Sequence, residues 1–463
     1  MMKRLVFVFA FFVGFTGTEV IAGNPDSLVI GNFFSEALTH PVASHNLGFL
    51  CNNFQGRLCG TLQAEKAVAW VYRMLKEMDP DTVYLQPLTV KRWERGEKEV
   101  ARVKSSAVGK QVLNICALGS SIGTGSKGIE AEVIEVAGFE QLDDLGREGV
   151  SGKIVFFNRC ANPAWFYTFN AYAEVVALRA RGALYAAKYG AIGVIVRSAT
   201  LSHDDYPHTG IQHYADSVIR IPAVAVSTNG ADSLSAWLKV DRRLRLFIRT
   251  TCMELSETGS FNVIAEIKGT VYPEKIIAFG GHIDAWDLGQ GAHDDGAGVV
   301  QTMEVLRLFK QLQIKPANTL RLVVFMDEEY AQRGAVAYAS AVGIKNESHI
   351  AAIESDRGGF TPQGFSIDAT DKQVDLIRRW QPLLVPYGFW SFAKGGSGVD
   401  IGPLKKYGFP LIALVTDSQR YFDYQHAGSD TFDKISPREL QLGSAGIASL
   451  VYLIDKYSNL LTP

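Results

Sequence analysis

The sequence predicts an α/β fold built on a mostly parallel sheet with helices on both faces, carrying an inserted β-rich domain. Strand-type and helix-type runs alternate over residues 256–463, the order that makes such a sheet. The strand runs are continuously apolar, as in strands buried on both faces. Residues 118–255 break the alternation with short β-rich runs around a single helical pattern. The chain has 463 residues, of which 47% are hydrophobic and 20% charged, enough for a sizeable core. At ~150 residues per domain the length corresponds to about three domains. Lys and Arg number 46 against 48 Asp and Glu, a net charge of -2, which argues against an electrostatic binder of nucleic acid.

The elements follow in order. Met1 to Arg4 is basic, Leu5 to Phe15 is apolar, and Val20-Ile21-Ala22 supplies small residues for cleavage before Gly23. Residues 1–22 therefore read as a signal peptide, and the mature chain as exported, to the periplasm or outside the cell. The apolar run is short for a bilayer and no second one approaches membrane-spanning length. In residues 23–117, Ala64, Val68, Val71, Leu75 and Met78 mark one face of a helix that Asp79-Pro80 stops, and Val83–Val90 reads as a strand. Residues 118–255 hold strand runs at 131–136, 153–157, 192–196 and 223–226, with a helix at 175–189. Residues 256–463 hold strands at 275–280, 319–326, 350–354 and 411–416, with helices at 296–312, 373–384 and 437–457. The five cysteines, Cys51, Cys59, Cys116, Cys160 and Cys252, form no C-x-x-C. A Cys51–Cys59 disulfide is open, but buried free thiols are the simpler reading.

Sheets of this kind place their sites beyond the carboxyl ends of the strands. His282 and Asp284 follow the first strand of the last segment. Asp294 and Asp295 open the next helix, Glu328 and Glu329 follow the second strand, Asp356 the third, and His426 lies after the fourth. Singly each is ordinary: a histidine at a strand end is usually structural, and a Glu-Glu pair is usually solvated. Together they bring two imidazoles and six carboxylates to one sheet edge. Without a counterion so many like charges repel. Mixed His and carboxylate ligation suits zinc, and one shared carboxylate with a His and a further carboxylate per ion makes a two-metal site. Carboxylates there also favour a free α-ammonium, hence an aminopeptidase or dipeptidase rather than an endopeptidase.

Two other patterns resemble sites. Gly119-Ser120-Ser121-Ile122-Gly123 matches a nucleophile elbow, but turn residues follow where a helix is required. His203, His208 and His213 fit no compact ligand set. His208, in a Pro-His-Thr-Gly loop, is expected instead to lean over the site and contact substrate, with residues 118–255 shaping the cavity. Gly395 to Gly398 followed by Asp400 is a candidate stretch of substrate wall, against an ordinary loop.

The strings GHIDAWDLGQGAHDDGAG (281–298) and FMDEEYAQRGA (325–335) resemble the di-zinc aminopeptidases related to glutamate carboxypeptidase II. WERG (93–96), LGSSIGT (118–124) and PHTGIQ (207–212) are similar to its plasma glutamate carboxypeptidase branch. The resemblance implies a zinc-exopeptidase fold and two Zn2+ ions, one held by His282 and Asp356, the other by Glu329 and His426, with Asp294 bridging. It implies that Glu328 is the general base and that Asp284 supports His282. It further implies that residues 118–255 are a protease-associated domain, and that the protein is a secreted homodimer cleaving short peptides with a free N-terminus. Relatives place a tyrosine directly before the last His ligand as oxyanion donor; here Gln425 stands there and Tyr424 precedes it, so the donor is open. Two other functions fit the same fold: a di-metal amidohydrolase on non-peptide amides, and a receptor-like homologue. The second is disfavoured because all five ligand positions and the base are present.

Overall fold

The computed structural model describes residues 24–461; the expected signal peptide lies outside them. Two eight-stranded sheets organise the chain. The first runs in the order Thr82–Glu94, Met253–Ile267, Asn318–Phe325, Tyr272–His282, Ser348–Glu354, Leu411–Thr416, Pro362–Asp368, Ser391–Lys394. Its four central strands, Asn318–Phe325 to Leu411–Thr416, are parallel, as the alternation predicts. Antiparallel pairings flank them on both sides, so the sheet as a whole is mixed. The flanking strands escape a search for continuous apolar runs because they carry polar residues: Met253–Ile267 and Pro362–Asp368 each bury only part of their length.

Alternation along the central strands feeds two cores. Ile277, Phe279, Leu320, Leu322 and Val324 face a large cluster built with the helices Pro25–Thr39, Val42–Asn53, Leu62–Glu77, Ala297–Gln311 and Pro437–Lys456. Ile276, Ala278, Val323 and Phe325 face the other way, onto Tyr338, Ala339 and Val342 of the helix Arg333–Lys345. The helix at 62–77 starts as its sequence dictates, with the Thr61 hydroxyl accepting the Ala64 N–H at 3.2 Å. The expected helix at 373–384 is broken into Asp371–Arg378 and Gln381–Leu384, with Pro382 in the first turn of the second piece.

The second sheet lies between residues 100 and 249, within the sequence span of the first. It includes Val100–Ser105, Gly109–Leu113 and Ile115–Ala117, which precede residue 118. Val155, Phe157, Val194 and Val196 pack on one face against Leu142 and Leu178, from the helices Phe139–Val150 and Val176–Lys188. Ile154, Phe156, Val224 and Val226 pack on the other against Leu234 of Thr228–Val240. This lobe is therefore sheet and helix together, richer in helix than the sequence pattern predicts. All five cysteines are free, and only Cys160 is exposed. The stretch after Gly119 is loop, bridged to Ile211, so it is no nucleophile elbow. Among the described residues, no helix is long and apolar enough to cross a membrane.

Candidate metal centre

The parallel strands end side by side and deliver the expected residues to one place. His282 is the last residue of its strand and fully buried. Its Nδ1–H donates to the Asp284 carbonyl at 2.9 Å, which leaves Nε2 as the free lone pair. Nε2 lies 3.3 Å from Asp294 Oδ1, 3.6 Å from Asp356 Oδ1 and 3.9 Å from Glu328 Oε2. On the far side of Asp294, Oδ2 lies 3.2 Å from His426 Nε2, which is itself 3.0 Å from Glu329 Oε2. Two ligand triads result, His282–Asp294–Asp356 and Asp294–Glu329–His426, sharing one carboxylate.

A tetrahedral zinc with bonds of about 2.0–2.1 Å separates its ligands by about 3.3 Å. The four spacings of 3.0–3.6 Å within the triads fit that geometry. His282 Nε2, Asp294 Oδ2, Glu329 Oε1 and Asp356 Oδ1 are buried without a hydrogen-bond partner, as ligand atoms awaiting a cation would be. The electrostatics agree. Burial opposes charge on His282, but Asp294, Asp356 and Glu328 outweigh it and push its pKa well above normal. Burial, then the charge of Asp294, pushes Glu329 up. Burial likewise raises Asp356 and, well above its usual range, Asp295. So many buried carboxylates ionise together only against a cation.

The loops that present these ligands are held by residues without a recognisable motif. Arg57 is fully buried and donates to the carbonyls of Ile283, Gln290 and Gly291 at 2.6, 2.5 and 2.7 Å, fixing the turn between His282 and Asp294. Arg95, of the WERG string, reaches Asp287 at 2.6 and 2.8 Å and Glu99 at 2.9 Å. Asp430 accepts the N–H groups of His293 and Asp294 at 2.8 and 3.1 Å. Gly298 is required by closeness: a side chain there would run into the Ser355 carbonyl and the Asp295 carboxylate.

Four expected residues sit differently. The Asp284 carboxylate is 3.8 Å from the His282 ring and serves another purpose, accepting the backbone N–H groups of Asp327, Glu328 and Glu329 at 2.9, 3.2 and 3.4 Å. Its carbonyl, which every residue type has, orients His282. His208 is 3% exposed and hydrogen-bonded through Nδ1 to the Gln425 carbonyl at 2.7 Å, beside His426. Asp400, in the loop after Gly398, is fully buried. Glu354 draws that loop inward by accepting the N–H groups of Val399 and Ile401 at 2.8 and 2.9 Å. Tyr424 stacks on His293, ring centroids 5.3 Å apart. The phenol among the site carboxylates is Tyr421, buried to 3% exposure. Burial, then the charges of Asp294 and Asp356, pushes its pKa well up, so it stays a hydrogen-bond donor.

The model of peptidase family M28 matches residues 262–451. Carboxypeptidase Q from Pongo abelii is 33% identical over 415 residues, 90% of this chain and 85% of that protein. The crystal structure of a peptidase M28 precursor from Shewanella amazonensis SB2B superposes with a TM-score of 0.88 at 31% identity, covering 93% of this chain and 96% of that one. A zinc aminopeptidase from Bacillus subtilis shares the fold, with a TM-score of 0.64 at 17% identity over 89% of this chain and 94% of that one. The chain belongs to peptidase family M28, and it is a metallopeptidase.

Proposed function

We propose that the protein is an exported di-zinc exopeptidase that hydrolyses dipeptides and short peptides at the first peptide bond, taking substrates with a free N-terminus. The single observation that carries this reading is the pair of ligand triads sharing Asp294, at spacings suited to two ions. His282 and Asp356 would hold one ion, Glu329 and His426 the other, with Asp294 between. Zinc there supplies Lewis acidity, polarising the peptide carbonyl and acidifying the attacking water.

The protein supplies the rest. Glu328 stands beside the ligands, its side chain 15% exposed, and its backbone is pinned by Asp284. Burial raises its pKa well above the usual range; His282 pulls it down, and Glu329, Asp356 and Asp400 push it up again. A carboxylate with raised affinity for protons suits a general base that takes a proton from water and passes it to the leaving amine. Tyr421 is the donor placed to stabilise the carbonyl oxygen as charge develops on it. The carboxylates of the Glu329 triad favour a substrate α-ammonium. Export follows from the sequence pattern of residues 1–22, and a homodimer from the family resemblance; the second lobe corresponds in this reading to the protease-associated domain.

The test is metal content measured with a substrate panel. Two zinc equivalents per chain and turnover of dipeptides, lost on N-acetylation, support the reading. One equivalent, or turnover confined to non-peptide amides, overturns it.

A further inference from the structure

We propose that Arg357 binds the free α-carboxylate of a dipeptide substrate, so that the site selects peptides ending one residue beyond the bond it cleaves. The inference rests on the exopeptidase reading above and names the substrate class within it.

The first observation is a cation without a protein partner. The other interior arginines use their guanidinium groups on protein: Arg57 on three carbonyls, Arg95 on Asp287 and Glu99, Arg179 on the Thr209 carbonyl and the His426 ring, Arg197 on Asn158 and Asp232, Arg307 on Glu304 and Glu36, Arg321 on Glu266 and Glu347. Arg357 is half-buried, yet among the described residues no carboxylate lies within ion-pair distance of it, and its side chain donates no hydrogen bond to protein. Its guanidinium lies over the face of Phe169, 5.2 Å from the ring centroid. A partly desolvated, unpaired guanidinium is costly unless a ligand completes it.

The second observation is place. Arg357 directly follows Asp356, a member of the His282 triad. Its own backbone is fixed, because the Thr416 hydroxyl donates to its carbonyl at 2.6 Å. Phe169, on which the guanidinium rests, stacks on Tyr421 with centroids 5.6 Å apart and planes 11° apart. The guanidinium and the Tyr421 ring thus share Phe169 as a neighbour.

Substrate geometry supplies the third step. In a dipeptide, only the C–N, N–Cα and Cα–C bonds separate the scissile carbonyl carbon from the carboxylate carbon, so the two are about 3–4 Å apart. A group that recognises this carboxylate must reach close to the ligand set, and Arg357 is one residue from it in the chain. Its planar fork matches a carboxylate in two parallel hydrogen bonds. In a longer peptide an amide occupies that position, and the cation is left unpaired.

The experiment compares kcat/KM for a dipeptide and for the same dipeptide carrying a C-terminal carboxamide, in wild type, Arg357→Gln and Arg357→Lys, with zinc content and Tm measured for each. Wild type is expected to favour the acid by on the order of 10²-fold, the scale of a desolvated charge pair. Arg357→Gln should bring that ratio close to one at unchanged zinc content, and Arg357→Lys should restore part of it. A wild-type ratio near one overturns the proposal, whatever the variants do. So does an unchanged ratio in Arg357→Gln, or loss of zinc in that variant, which would make Arg357 a prop for Asp356. If wild type with full zinc cleaves neither compound, the exopeptidase reading itself falls and takes this proposal with it. If both are cleaved equally, only the carboxylate role falls.

Discussion

His282 and His426 face the same carboxylate from opposite sides, but the chain holds them by different means. His282 ends a central strand, and its ring is oriented by a carbonyl two residues on. Everything that fixes it belongs to the first sheet and its loops. His426 sits in a loop at a positive φ of 62°. Its Nδ1 lies 3.3 Å from the Thr209 carbonyl and 3.3 Å from Arg179 Nη1, and its own carbonyl accepts the Thr209 N–H at 2.9 Å. His208 holds the preceding carbonyl. Those three partners come from the second lobe. One half of the centre is thus a product of the sheet, while the other is assembled only when the two lobes meet.

The largest effect is expected where the halves join. Asp294→Ala removes the carboxylate common to both triads, so both zinc equivalents should weaken by more than the ~10–100-fold that losing a supporting partner costs. The remaining carboxylates would then repel uncompensated, and Tm should fall with metal content. Retention of two tightly bound ions by that variant, measured by metal analysis after dialysis, would break the bridging assignment. Glu328→Gln comes next. It should cost about 10²–10⁴-fold in kcat while both halves keep their zinc, because the proposed reading makes the side chain a base rather than a ligand. Most of the activity surviving would mean that another group takes the proton.

The same contrast explains what was legible in the sequence. The strand-end half could be read directly: apolar runs locate the parallel strands, and the polar residues just past them form the triad that could hold an ion. The ligands of the other half were also legible as residue types, since Glu329 and His426 follow strands. Their supports were not. His208, Thr209 and Arg179 act across roughly 220–250 residues of sequence, through one ring nitrogen, two backbone groups and a guanidinium, and no spacing rule encodes such contacts. Arg57 was invisible for a similar reason, since its partners are carbonyls. Asp400 and His208 lie deeper than a Gly-rich or Pro-containing string suggests, because Glu354 and the Gln425 carbonyl hold each inside. Strands such as Val100–Ser105, Arg245–Arg249 and Pro362–Asp368 were missed because burial alternates along them, which dilutes the apolar signal.

His208→Ala sharpens the comparison at intermediate scale. It deletes the 2.7 Å hydrogen bond to the Gln425 carbonyl and leaves that carbonyl buried. One zinc equivalent should then dissociate about 10-fold more readily, the low end for a supporting partner, and the other should stay as in wild type. Competition with a chelator, followed as two separate release phases, measures this. Equal weakening of both phases would show that the lobes meet around the whole centre and not around His426 alone.

The smallest effect on either half is expected from Asp26, which makes it the control for stability. Asp26 lies in the first turn of the helix Pro25–Thr39 and accepts hydrogen bonds from Tyr452 at 2.8 Å, Tyr457 at 2.7 Å, and Lys456. It ties the first helix to the end of Pro437–Lys456. Burial alone would raise its pKa, but the bonds from Lys456, Tyr457 and Tyr452 hold it below the usual carboxylate value. A depressed folded pKa contributes stability that is complete above the unfolded value near 3.9 and is lost as pH falls through the folded one. Asp26→Asn should therefore cost about 1–3 kcal/mol at neutral pH, the scale of hydrogen bonds to a charged group. That deficit should shrink once the pH drops below the carboxylate range. Measuring Tm against pH on chelator-treated wild type and variant keeps metal loss in acid out of the comparison. At neutral pH both zinc phases of Asp26→Asn should match wild type. If one of them weakened, global destabilisation alone would loosen the centre, and a one-phase effect of His208→Ala would no longer report on the lobe contact.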